Sequence, residues 1–310
     1  MAILVADKMT SKIDSVHEDW ADPEYIKKNL ALLKFDDSRL GLRIFDELGR
    51  IQINALVKYP EGRHFNPAQH RLWIRFLTAL SAGDEQYAEL EPAAVINPVK
   101  DWLDRGDDDA ITGLSGAESD YYQGLDPPYA CRNAPFKHLY ELMLVKGITR
   151  DLFLGVNKSF GISHYLTVYG MTAAKKKTDA GRFTFTGKIN INTAELPVIA
   201  ALLPAVYLDL APAIIEYRDA SDEGEFIHDL SSPTWYKHIP GLHNVTIDAA
   251  LLTTSSDFFR LEATVVRGRL SINLTTVVQR MKDKKTGRWY CRVISQWEDS
   301  LPPAHAGREE

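Results

Sequence analysis

The hydrophobic period changes twice along this chain, and that constrains its fold more than any single motif. Between residues 39 and 57, "RLGLRIFDELGRIQINALV" alternates Leu40, Leu42, Ile44 and then Ile51, Ile53, Ala55 about Gly49, which predicts a β-hairpin. From about residue 66 to 250 the period is mostly helical. Asn66 reads as an N-cap with Pro67 at the first helical position, and Leu72, Phe76, Leu77 and Leu80 lie along one face. One extended piece, "GRFTFTGKININTA" (181–194), interrupts the helices. After residue 257 the period returns to two: Phe259, Leu261, Ala263 and Val265 alternate, "KDKKTG" reads as a turn, and Trp289, Cys291 and Val293 alternate again. A lone hairpin is marginal in water, so the two ends are expected to join in one antiparallel sheet around a helical middle. Residues 7–33 read as helix through Ile13, Val16 and Trp20, with Pro23 starting a second short helix. The fold class is α+β. The expected divisions are 1–60 (helix and first hairpin), 61–255 (helical insertion), 256–299 (remaining strands) and 300–310 (a disordered tail).

Charge is distributed unevenly. The chain carries 42 acids against 36 bases, a net charge of -6. Residues 101–120 alone hold seven acids (Asp101, Asp104, Asp107, Asp108, Asp109, Glu118, Asp120) against Arg105, so the rest of the chain balances. Crowded carboxylates raise one another's pKa unless a cation compensates. With no His or Cys nearby, the donor set suits a hard cation, and calcium accepts irregular oxygen ligands more readily than magnesium does. A calcium loop would draw on Asp104, Asp107 and Asp109 from one end and Glu118 and Asp120 from the other, with "ITGLSG" supplying carbonyls; it is not an EF-hand. The other reading, a solvated acidic loop with helix-capping acids, stands beside it.

Other chemistries find little support. There is no GxSxG, HExxH, Walker loop or GxGxxG, and a glycosidase pair such as Asp104 and Asp107 needs isolated, environment-tuned acids, which also weighs against a hydrolase using Asp104 and Glu118. His228, His238 and His243 read as structural or surface residues. "GKININTAELPVIAALLPAVYLDLAPAIIEYR" (187–218) and "APFKHLYELMLVKGITRDLF" (134–153) have helix-hairpin-helix-like (SAM-like) outlines, but "PAV" replaces the glycine hairpin. With a pI of about 5.9, and "AAKKKTDAGR" as the one basic cluster, these are expected to be packing modules, with no nucleic-acid partner. Cys131 and Cys291 stand 160 residues apart in no zinc spacing, and read as two free thiols or one disulfide. No run is long and apolar enough for a membrane helix.

Four blocks occur in collinear order between about residues 40 and 270: "FDELGRIQINALV" (45–57), "VKDWLDRGDDD" through "GAESDYYQGLDPPYACRNAPFKHLYELMLVKGIT" (99–149), "GKININTAELPVIAALLP" (187–204) and "SDFFRLEATVV" (256–266). In this the sequence resembles the K-type minor pseudopilin of bacterial type II secretion, general secretion pathway protein K. DWxD with GAExxYY and the NTA block are the most specific parts. The resemblance implies a pilin-like helix and antiparallel sheet carrying a large helical insertion, bound calcium in the soluble domain, and no enzymatic activity. It further implies a place at the tip of the periplasmic pseudopilus, initiating and capping assembly, with the I- and J-type minor pseudopilins as partners. The alternative is a periplasmic module that recognises exported substrate proteins. Family members begin with a leader and a long apolar helix in the inner membrane. Neither is present here, and "DKMTSKIDSVHEDW" is expected to be the surviving end of that helix. An oxidising periplasm makes a Cys131–Cys291 disulfide permissible.

Overall fold

The structure is a computed structural model of the chain, and it describes residues 1–33, 38–83, 85–106, 111–157, 159–173, 182–223, 225–268 and 270–299. Asp107, Asp108 and Asp109, most of the basic cluster (174–181) and the tail 300–310 lie outside the described residues. Two compact units emerge. The first comprises Met1–Glu47, Asp219–Ser232 and the chain from Thr254 onward; the second comprises Leu48–Arg218 and Pro233–Thr253.

The first unit is built on a four-stranded antiparallel sheet. Strands β1 (Arg39–Asp46), β2 (Phe258–Arg267), β3 (Leu270–Lys282) and β4 (Trp289–Asp299) lie side by side in that order. Register follows the alternation: Ile44 pairs with Leu261 and Leu42 with Ala263, while Phe259 pairs with Val278. Helices α1 (Ala2–Thr10) and α2 (Pro23–Leu30) and the segment between them supply the rest of its core. Leu4, Trp20, Ile26, Ile44, Phe259 and Val278 form one buried cluster, in which Trp20 meets Phe259 edge-on at 5.3 Å. Each such side chain contributes about 1.5–3 kcal/mol on burial.

A buried ion cluster fastens these elements. Arg280 on β3, fully buried, donates to Asp14 Oδ1 (2.5 Å), Leu4 O (3.0 Å) and Ser256 O (2.7 Å), and lies over the Phe259 ring. Asp14 Oδ2 accepts from Ser256 N–H (2.9 Å) and the Lys8 ammonium (3.2 Å). This corrects the expected helix over 7–33: residues 11–22 are not helical. Ser11 Oγ accepts from Ile13 N–H and Ser15 Oγ from His17 N–H, while Asp14 turns inward to Arg280. Such side-chain bonds offer the backbone an alternative to the helical ladder. Pro23 does open α2, and Asp22 caps it by accepting from Glu24 N–H.

The expected hairpin over 39–57 is also corrected. Only β1 joins the four-stranded sheet; Ile51–Gln52 pairs in parallel with Leu166–Thr167 in the second unit, and Ile53–Leu56 forms a 3-10 turn. The alternation misled because both sides are buried. Gln52, which looked solvent-facing, donates to Tyr169 O and accepts from Gly187 N–H. Asn54 donates to Phe136 O and Val168 O and accepts from Phe136 N–H. The conspicuous "GRIQIN" stretch is thus a set of hydrogen-bond hubs that satisfy buried backbone.

The second unit carries helices α3 (Pro67–Gly83), α4 (Pro92–Leu103), α5 (Ser119–Gln123), α6 (Arg150–Leu154), α7 (Leu196–Leu202) and α8 (Ala211–Asp219). Leu72, Trp73, Phe76, Leu77 and Leu80 bury one face of α3, which packs on α4 and α7. The NTA block works by hydrogen bonding: Trp235 Nε1 donates to Asn192 Oδ1 (2.7 Å), and Arg218 on α8 donates to Ala194 O (2.7 Å). Cys131 and Cys291 are not joined in a disulfide. Among the described residues no helix is long and apolar enough to cross a membrane.

Candidate metal centre

One stripe of α4 builds the acidic site. Ala93, Asn97, Lys100, Asp101 and Asp104 recur at helical spacing, and the loop after the helix folds back along them. Ser115 Oγ donates to Ala93 O (2.8 Å) and accepts from Asn97 Nδ2 (3.0 Å). Asp101 holds the loop most firmly, accepting from Thr112 N–H, the Thr112 hydroxyl and Ala117 N–H. Gly116 is required by this close approach, since a Cβ there would collide with the Asp101 carboxylate and the Thr112 backbone. The fold-back delivers Glu118, the N-cap position of α5, to the C-terminal end of α4.

There the carboxylates of Asp101, Asp104 and Glu118, all buried, come together with one oxygen of each within 4.8 Å of the others. Among the described residues no other group of three His, Cys, Asp or Glu side chains meets so closely. Lys100 lies with them, paired to Asp104 one turn away and 3.6 Å from Asp101. Burial alone would lower the Lys100 pKa, but the hydrogen bond and charge of Asp104, then Asp101 and Glu118, hold it above its usual value. An aromatic layer backs the site: Trp102 meets Tyr122 edge-on at 5.1 Å and stacks on Phe136 at 6.3 Å. Burial raises the Tyr122 phenol, whose oxygen accepts from Lys146 N–H. Cys131 Sγ contacts Asp101 O at 3.6 Å.

Of the five acids singled out in the sequence, Asp104 and Glu118 meet in this cluster, Asp120 is exposed in the first turn of α5, and Asp107 and Asp109 lie outside the described residues. Asp101 was counted among the acids but not among the ligands. Its i, i+3 spacing to Asp104 on a predicted helix carried the signal. The donor chemistry fits a hard divalent cation: three carboxylates, no nitrogen or sulfur donor in the group, and an ammonium already among them where a cation would be held.

An antiparallel sheet faced by helices and interrupted in sequence by a helical unit gives the chain a mixed α+β fold. Its fold is shared with a chain of the GspK–GspI–GspJ complex from the enterotoxigenic Escherichia coli type 2 secretion system, with a TM-score of 0.65 and 13% identity over 97% of this chain and 91% of that one. Two sequence profiles described as type II secretion system (T2SS), protein K, match residues 49–159 and 189–231. Type II secretion system protein K of Aeromonas hydrophila is 27% identical over 297 residues, covering 91% of this chain and 78% of the relative. The protein of the same name from Pseudomonas aeruginosa is 27% identical over 275 residues, covering 88% of this chain and 69% of the relative. The chain belongs to the type II secretion system protein K family.

Proposed function

We propose that the chain is a structural minor pseudopilin at the tip of the type II secretion pseudopilus, where it starts and caps assembly with I- and J-type minor pseudopilins at the inner membrane and periplasm. The observation that carries this reading is the likeness, over 97% of the chain, to a chain of a complex named for K, I and J subunits. The first unit offers a matching surface. β4 is a sheet edge among the described strands, and it exposes Tyr290, Val293, Ile294 and Trp297. A strand edge with apolar side chains supports pairing with a neighbouring subunit.

The acidic centre is read as a calcium site held by Asp101, Asp104 and Glu118. These residues would hold calcium between the end of α4 and the start of α5, where it would supply positive charge to the three acids. Asp101 keeps the loop folded through its three donors, so the centre is assembled by hydrogen bonding around Gly116.

Co-expression with I- and J-type minor pseudopilins tests the assembly role. The expected result is a complex of all three that survives size-exclusion chromatography and is weakened by Val293→Glu with Trp297→Glu. Elution of the chain alone from an otherwise intact I–J pair contradicts it.

A further inference from the structure

We propose that Lys100 is a built-in placeholder for the divalent cation: its ammonium sits among the carboxylates when metal is absent and leaves for solvent when metal binds. The inference rests on the metal reading above and concerns how that same site is regulated. Three buried acidic side chains gather with the Lys100 ammonium, which pairs with Asp104 and approaches Asp101. The ammonium and a divalent cation claim the same atoms. Lys100 Nζ bonds Asp104 and lies 3.6 Å from Asp101, and a metal held by those carboxylates would place two positive charges side by side in a site backed by aromatic rings.

The exit is open to the lysine and not to the acids. Its side chain retains 10% exposure, whereas Asp101 and Asp104 retain none. A compact ammonium on a four-carbon stem can swing outward while the stem stays against the helix. Metal affinity is then reduced by the fraction of molecules in which the lysine is already out. Minor conformers are populated at roughly 0.1–10%, so removing the ammonium should tighten binding about tenfold or more. A lysine with a merely structural role predicts the opposite: lost stability and no tighter binding.

The test is a terbium titration of the whole chain, read by luminescence sensitised through Trp102 and Tyr122 and confirmed by calcium competition, in wild type and Lys100→Met. The expected result is binding by both, with Kd tightened about tenfold or more in the variant. Equal or weaker binding by the variant overturns the placeholder and leaves the metal centre standing. Absence of binding by both overturns the metal reading and this inference with it. Should Lys100→Met fail to fold, amine acetylation of wild type followed by mass spectrometry decides: Lys100 should be protected in EDTA and modified in saturating calcium. Continued protection with calcium bound overturns the proposal.

Discussion

Both units bury charge, but they resolve it differently. In the sheet unit, Arg280 and Lys8 converge on Asp14, and backbone groups from Leu4 and Ser256 complete the cluster. In the helical unit, Asp101, Asp104 and Glu118 gather together, and the Lys100 ammonium pairs with Asp104 and lies 3.6 Å from Asp101. The first cluster meets its charge with protein groups drawn from α1, the 11–22 loop, the 254–257 segment and β3. The second brings three acidic side chains from the end of α4 and the start of α5 within 4.8 Å of one another. A buried cluster closed by the protein's own atoms holds a fold together, whereas one that favours a single sign suits a ligand of the other.

The widest break in this comparison comes from removing the arginine. Arg280→Met leaves Asp14 buried without its main partner and should destabilise the sheet unit by about 3–5 kcal/mol, equally with calcium and with EDTA. Hydrogen exchange of β2 and β3 amides measures it, and calcium-dependent rescue would contradict the separation between the clusters. Next is Asn54→Ala, which strips three hydrogen bonds from Phe136 and Val168 and should cost the helical unit about 1–3 kcal/mol, read from amide exchange around residue 136. Asp22→Ala removes the α2 cap and should cost about 1 kcal/mol, seen as a lower urea midpoint.

The smallest effect is a pH dependence in the sheet unit. Burial raises the carboxyls of Asp7, Glu18 and Asp257 above their usual values. Their folded forms hold protons more tightly than the unfolded chain does. This contribution is full below the ordinary carboxylate range and is lost as pH rises through the raised values. The sheet unit should therefore gain stability as pH falls from 7 toward that range, and Asp7→Asn with Glu18→Gln should flatten the slope. An unchanged slope would remove these groups from the account.

Strand β2 was legible because its alternation faces the core, with Phe259 buried and Leu261 packed against the same cluster. Helix α3 was legible for the same reason at a helical period. The hairpin at 39–57 was misread because Gln52 and Asn54 are polar yet buried, and alternation cannot distinguish a solvent-facing residue from a hydrogen-bond hub. The end of α1 was missed because Arg280, 266 residues away, recruits Asp14 out of the helical pattern. At the acidic centre, residue type and neighbourhood were visible. What joins Asp101 to Glu118 is the fold-back at Gly116, and the sequence shows that glycine without showing what it must avoid.

Thermal unfolding of the whole chain in calcium, magnesium and EGTA, for wild type and for Asp104→Asn with Glu118→Gln, tests the central claim most directly. Calcium at ~100 times its dissociation constant should stabilise wild type by about 2.7 kcal/mol, with a smaller shift in magnesium and none in the double variant. Equal midpoints for wild type in calcium and EGTA, after complete removal of metal, would make the cluster a buried acidic structure and contradict the metal centre.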